Sequence, residues 1–339
     1  MKEVRVGVVG CGRWGVNFVR VLQQMDGFEL AACCDLEAVN LKRLAKFGRE
    51  IGVFQNMERM LKETPLDAVV VATPAVTHHD LVANLLARGL DVLVEKPLAT
   101  TSSDARHLLV LAKRKKRILM VGHIFHYNRA VSHLKSLMGS GDLGALRYLY
   151  SVRTNLGPIR GDVNVLWDLG SHDVSLFLHL TGDTPDRVTA SGQSYLRPRI
   201  ADVVFATIFF KRTKVICHLQ VSWLDPHKVR RLTVIGTEKM AVLDDVNTQE
   251  PIRIFNRGVM RDKTYDDFGH FQLVLRDGDI GIPHISMDEP LRAECGHFLD
   301  CVRRRKRPLT SAEHGLAVVK VLEALGESLK KQGRPVNVR

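Results

Sequence analysis

Long apolar runs are absent from this chain of 339 residues. No stretch approaches the roughly 20 apolar residues that a membrane helix needs. Met1-Lys2-Glu3-Val4 runs straight into a strand pattern, which leaves no room for a cleavable leader and points to a cytoplasmic protein. Cysteine is scarce. The six thiols, Cys11, Cys33, Cys34, Cys217, Cys295 and Cys301, form no CxxC pair and no metal-ligand spacing. Structural disulfides and zinc are therefore not expected. Cys33 and Cys34 lie inside an apolar strand pattern, where a thiol acts as a small hydrophobe. Repeats and low-complexity linkers are missing too. Charge is unbalanced, with a net +12. Most basic residues are scattered. The exceptions, Lys113-Arg114-Lys115-Lys116-Arg117 and Arg303-Arg304-Arg305-Lys306-Arg307, close helical patterns, where cations suit the helix dipole. No nucleic-acid motif accompanies them. The surplus is read as solvated helix ends that also attract phosphorylated small molecules.

What is present begins with Gly10-Cys11-Gly12-Arg13-Trp14-Gly15. The run follows the apolar segment Val4–Val9 and precedes a helical pattern carried by Val16, Val19 and Leu22. Asp35 closes the next apolar segment, twenty residues after Gly15. A lone GxGxxG is often a chance turn. Strand, glycines, helix and acid in this order form a dinucleotide-binding fingerprint. Gly10 permits the tight turn, Gly12 lets backbone approach a pyrophosphate, and Gly15 lets the helix lie close to the strand. Asp35 suits a ribose diol and repels a 2′-phosphate, so NAD is the expected cofactor.

Strand and helix patterns alternate up to residue 122. Strands are expected at 4–9, 28–34, 52–54, 67–72, 91–95 and 118–122, with a clear helix at 77–88. Six short apolar strands separated by helices make a doubly wound parallel sheet. Beyond residue 123 the segments 203–210, 214–223, 229–236 and 239–245 follow one another without helices, which gives a mostly antiparallel sheet. Two amphipathic helices close the chain, on stripes of Leu291, Cys295, Phe298, Leu299 and Val302 and of Ala317, Val318, Val321, Leu322 and Leu325. The expected domains are 1–122, a Rossmann domain, and 123–339, an α+β domain whose open sheet has a face left to cover. That face suggests a homodimer or homotetramer.

Three constellations can carry chemistry. Glu95-Lys96-Pro97 ends the fifth strand, at the sheet edge where ligands of such folds bind. Lys96 there is either a loop lysine or a group facing the reacting carbon. Asp168 and His172 lie four apart in a helical pattern and share a face. They are either a cap and a satisfied polar residue or a carboxylate-oriented proton acceptor. Arg153, Asn155, Arg160 and Asn164 surround Gly157-Pro158 and lead into Trp167. They form a solvated loop or a cradle for an anionic ligand such as a sugar diphosphate. Thr73-Pro74 follows the fourth strand, and Tyr127 and Asn128 are placed to line the cleft. His123 and His126 lack a third ligand for a metal.

GCGRWG with Asp35, ATPAVTHH, VLVEKPLA and DLGSHDVS together resemble the glucose–fructose oxidoreductase/inositol dehydrogenase/rhizopine-catabolism family over nearly the whole chain. GHIFHYN and RTNLGPIRGDVNVLWDLGSHDVS look like its nucleotide-sugar branch. The resemblance implies a dehydrogenase that oxidises the sugar 3-hydroxyl of UDP-N-acetylglucosamine or its uronic acid, ahead of a pyridoxal-dependent aminotransferase. It implies Lys96, Asp168 and His172 as the catalytic group. It implies Thr73, Pro74, His78, Glu95 and the loop Gly10, Cys11, Gly12, Arg13, Trp14 and Gly15 as cofactor contacts. Arg129 stands where that branch usually has proline. Oxidation of a free sugar or polyol, or a nonenzymatic NAD-binding regulator, are the alternative readings.

Overall fold

The computed structural model describes residues 3–47, 51–157, 159–261 and 273–339. The chain divides into two compact units. One joins Met1–Asn128 to Asp288–Lys320; the other joins Arg129–Met287 to Val321–Arg339. The first unit thus extends past the expected end at residue 122 and recruits 288–320. The reason is apolar burial. Leu291, Cys295, Phe298, Leu299 and Val302 enter one core with Val6, Val8, Phe18 and Leu22.

Six parallel strands form the first unit's sheet: β1 (Val4–Val9), β2 (Phe28–Cys34), β3 (Gly52–Phe54), β4 (Ala68–Val71), β5 (Asp91–Glu95) and β6 (Leu119–Gly122). Their order is β3-β2-β1-β4-β5-β6, the doubly wound arrangement with its switch point between β1 and β4. The crossovers carry α1 (Gly15–Gln23), α2 (Ala38–Lys42), α3 (Met57–Glu63), α4 (His78–Ala87) and α5 (Ser102–Lys115). Local chemistry explains their limits. Asn56 and Thr101 accept the Arg59 and Asp104 backbone N–H groups and so cap α3 and α5. Lys113, Arg114 and Lys115 occupy the last turn of α5, as the dipole favours. The strand expected at 67–72 is one residue shorter at each end, and that expected at 118–122 begins one residue later.

The second unit opens with α6 (Arg129–Ser140) and β7 (Leu146–Thr154). A π-helical turn, Leu166–Gly170, leads into α7 (Ser171–Thr181), which ends where Gly182 turns left-handed and donates to the Leu178 carbonyl. Then come β8 (Pro185–Gln193), β9 (Val203–Phe210), β10 (Ile216–Ser222), β11 (Val229–Gly236), β12 (Met240–Asp244), β13 (Ile252–Phe255), β14 (Gly258–Arg261), β15 (Leu273–Arg276) and β16 (Ile280–Gly281). Helices α8 (Pro290–Arg304) and α9 (Ala312–Lys330) precede a short β17 (Val336–Asn337), and the division between units falls within α9. The main sheet runs β16-β13-β12-β11-β7-β10-β9-β8-β17, while β14 and β15 pair by themselves. Only β7 and β10 are parallel within that sheet among the described residues. One face is buried, with Leu149, Leu219, Ala206 and Val188 along it. The other exposes Tyr148, Tyr150, Phe205 and Ile216, and the two tyrosine rings stack. Among the described residues no helix is long and apolar enough to cross a membrane.

Candidate active site

The glycine run is a tight loop between β1 and α1. Gly10 has φ +89°, and a Cβ there would stand 2.7 Å from the Ala72 carbonyl carbon. A Cβ on Gly15 would stand 1.8 Å from the Gly10 oxygen. Both positions exclude any side chain. Gly12 differs: its nearest neighbour would be Asn40 Nδ2, 4.0 Å away. The space above Gly12 is open, which is what a pyrophosphate lying on this backbone requires. Asp35 stands at the tip of β2. Its carboxylate accepts the Cys11 N–H at 2.6 Å, the Glu37 N–H at 2.8 Å and Asn40 Nδ2 at 3.1 Å. The acid is held over the loop, where a ribose diol can exchange with these donors. These residues fit a dinucleotide.

Glu95, Lys96 and Pro97 continue β5 at the same sheet edge, and the Lys96–Pro97 bond is cis. The Trp14 indole N–H donates to the Glu95 carboxylate, and the Lys96 N–H donates to its other oxygen at 3.1 Å. Trp14 and Glu95 thereby tie the glycine loop to the lysine loop. Arg13 and Pro74 are exposed. Thr73 shares a 2.7 Å hydrogen bond with Thr77, whose hydroxyl donates to the Pro74 carbonyl. His78 is fully buried, its two ring nitrogens 2.7 Å from the Pro97 oxygen and 3.0 Å from the Thr73 oxygen. Tyr127 turns its hydroxyl to Thr310 at 2.9 Å, and Asn128 is buried beside it in sequence.

Burial raises the Glu95 carboxyl from 4.5 to about 7, against the opposing pull of Lys96 and Trp14. Glu294, fully buried on α8, is pushed well up by its own burial and then by Glu95. Among the described residues neither of its oxygens has a hydrogen-bond partner. In the sequence the signal for Glu294 is that an acid interrupts the apolar stripe between Leu291 and Phe298. His123 is likewise buried, and His314 brings a third ring to His123 and His126, with centroids 5.4 and 4.9 Å away.

In the second unit Asp168 sits in the π-helical turn and His172 in the first turn of α7. The expected plain α-helix is therefore wider at this point. Asp168 accepts Trp223 Nε1 at 3.2 Å and Arg160 Nη1 at 3.4 Å. Arg160 also forks onto Asp162, at 2.9 and 2.5 Å. Asn164 accepts the Trp167 N–H at 3.1 Å and so starts the helical segment. Asn155 follows β7, its N–H on the Ser222 carbonyl. Pro158 lies outside the described residues. Arg153, expected in the ligand cradle, is buried and forks onto Asp173 at 2.8 and 3.2 Å. Its side chain points to the covered face of β7, because the strand alternates and Tyr150 and Val152 take the other face. Arg153 thus pins β7 to α7.

The Glu95–Trp14 link yields a pH prediction. Trp14 fluorescence should titrate with a midpoint near 7 and lose that transition in Glu95→Gln. The folded carboxyl is raised above its ordinary value. Its contribution to stability is full below about pH 4.5 and lost as pH rises through about 7. The melting temperature of Glu95→Gln should therefore gain on wild type above neutrality. A flat fluorescence profile in the wild type would refute the link.

Two family models match the chain. One, described as the oxidoreductase family with NAD-binding Rossmann fold, covers residues 4–123; the GFO/IDH/MocA C-terminal domain covers 131–242. UDP-N-acetylglucosamine 3-dehydrogenase of Acidithiobacillus ferrooxidans is 29% identical over 76% of this chain and 79% of its own length. The rhizopine catabolism protein MocA of Rhizobium meliloti is 33% identical over 55% of this chain and 59% of its own. The solved structure of the Acidithiobacillus enzyme superposes with a TM-score of 0.80, at 23% identity, over 98% of this chain and 99% of that one. With the glycine loop, Asp35 and the two sheets in place, the chain is an oxidoreductase of the GFO/IDH/MocA family, built on an NAD-binding Rossmann domain.

Proposed function

We propose that this protein oxidises the sugar 3-hydroxyl of a UDP-linked 2-acetamido sugar, UDP-N-acetylglucosamine first, to the 3-ketone. The observation that carries the reading is the likeness to a UDP-N-acetylglucosamine 3-dehydrogenase over most of both chains. Lys96, Asp168 and His172 supply the chemistry that reaction needs. His172 takes the hydroxyl proton on its imidazole, with Asp168 as the nearby carboxylate. Lys96 bonds the oxygen as it becomes alkoxide and then ketone. NAD, when bound, accepts the hydride. Arg160, Asn155, Asn164 and Trp167 are the groups for the diphosphate and sugar, since Arg153 is occupied by Asp173. Tyr127 and Asn128 belong to the same reading. The keto sugar is set up for a pyridoxal-dependent aminotransferase acting next.

Incubation with NAD and UDP-N-acetylglucosamine should yield NADH and a 3-keto nucleotide sugar that an aminotransferase with glutamate traps. Faster turnover of free glucose or inositol than of any nucleotide sugar would refute the assignment. Lys96→Ala and His172→Ala should each lower kcat roughly 10²–10⁴-fold, the range for lost acid–base participation. Asp168→Asn should cost less.

The cofactor preference is for NAD over NADP. The Asp35 carboxylate opposes a 2′-phosphate, and Leu36-Glu37 brings no arginine to receive one. Steady-state kcat/KM should favour NAD, and Asp35→Ser should narrow the preference by about tenfold, or ~1.4 kcal/mol. Equal use of NADP by the wild type would contradict this.

The exposed sheet face of the second unit is assigned to a second copy of this chain. Tyr148, Tyr150, Phe205 and Ile216 are exposed on that face of β7, β9 and β10, with Ile216 opposite Tyr148. Light scattering should report a dimer or tetramer, and Tyr150→Glu with Ile216→Glu should yield monomer. A monomeric wild type would dismiss the interface.

A further inference from the structure

We propose that His78 is a positioning residue: its buried ring, wedged between the Thr73 and Pro97 carbonyl oxygens, sets where the Lys96 amine and the Thr73–Pro74 loop stand. The proposal rests on the reading that Lys96 acts at the substrate oxygen.

The geometry is specific. β4 and β5 are neighbours, with Val71 opposite Val94, and each ends in an X-Pro turn, Thr73-Pro74 and Lys96-Pro97. Beyond the last paired residues the two backbones have no ladder between them. His78, the first residue of α4, enters there. Nδ1 lies 2.7 Å from the Pro97 oxygen and Nε2 lies 3.0 Å from the Thr73 oxygen. The ring is 0% exposed. It replaces the missing ladder with one side chain.

Lys96 is bracketed as a result. On its N-terminal side its own N–H is held by the Glu95 carboxylate at 3.1 Å. On its C-terminal side the next carbonyl is held by His78, and Leu98 and Ala99 are fully buried beyond it. The resemblance to the family implies His78 as a cofactor contact. A buried ring with both nitrogens against backbone oxygens acts instead through the loops it holds.

Carbonyl oxygens only accept, so a neutral imidazole serves one of them and an imidazolium serves both. Burial, the largest influence, and Lys96 favour the neutral ring, while the two carbonyls favour the proton. The shorter contact is the one on the Lys96 side.

The two ring nitrogens can be tested separately. An asparagine amide reaches the Nδ1 position, and a glutamine amide reaches the Nε2 position. His78→Asn therefore keeps a donor for Pro97, and His78→Gln keeps one for Thr73. On the full-length enzyme, His78→Asn should hold kcat within about threefold of wild type, whereas His78→Gln and His78→Leu should lose about 10- to 100-fold, as a misplacement near 1 Å can cause. The KM for NAD should follow the opposite order, with His78→Gln nearest wild type. A readout independent of any substrate is the acetylation rate of Lys96 relative to exposed Lys211, followed by mass spectrometry. It should match wild type in His78→Asn and change several-fold in His78→Gln. If no tested sugar is oxidised, this ratio still decides the proposal. Equal loss of melting temperature in Asn and Gln variants, with kcat and Lys96 reactivity unchanged, would overturn it in favour of simple packing. A raised KM for NAD in every variant with kcat and reactivity intact would overturn it in favour of direct cofactor contact.

Discussion

The approach of Gly15 to the Gly10 carbonyl is the constraint on which the first unit depends. A methyl group at residue 15 would lie 1.8 Å from that oxygen, so helix α1 can sit on β1 only with glycine there. Beside that contact the space over Gly12 stays open. The same turn brings Cys11 N–H within reach of Asp35, and Trp14 within reach of Glu95. One turn thus fixes the positions of the Asp35 carboxylate and of the strand end that carries Lys96.

Around that turn the chain concentrates buried ionisable groups. Glu95 and Glu294 are both pushed toward their neutral forms, and His123 toward its neutral ring, burial being the first cause in each case. The Lys96 charge opposes the effect of burial on Glu95 and adds to it on His123. The basic surplus of the sequence is elsewhere. Arg305 forks onto Asp91 at 2.6 and 3.1 Å at the end of α8, and Lys113 pairs with Glu313. These pairs anchor helix ends, as their place in the sequence suggests.

The second unit applies a different logic. Its sheet is pinned to α7 by the Arg153–Asp173 pair, an ion pair almost without solvent contact. Removing one partner would leave a buried uncompensated charge, which costs about 3–5 kcal/mol. Arg153 is therefore part of the scaffold that presents Asp168 and His172. The π-helical turn before α7 adds width where Asp168 stands, a feature often found at functional sites.

The sequence alone determined the elements of the first unit. The glycine spacing, Asp35 and the strand pattern at 4–9, 28–34 and 91–95 reflect local rules: period, turn chemistry and one backbone that tolerates no side chain. The mostly antiparallel second sheet was legible for the same reason, from strands 203–210 and 229–236. Other features were decided by tertiary structure. That 288–320 belongs with the first unit follows from apolar burial between residues far apart in sequence. That Arg153 faces Asp173, that Tyr127 turns to Thr310, and that His78 spans two carbonyls follow from which face of a strand or helix is covered. Residue type and spacing name a candidate; only the packing around it fixes which partner its polar atoms meet, because most buried polar groups find one.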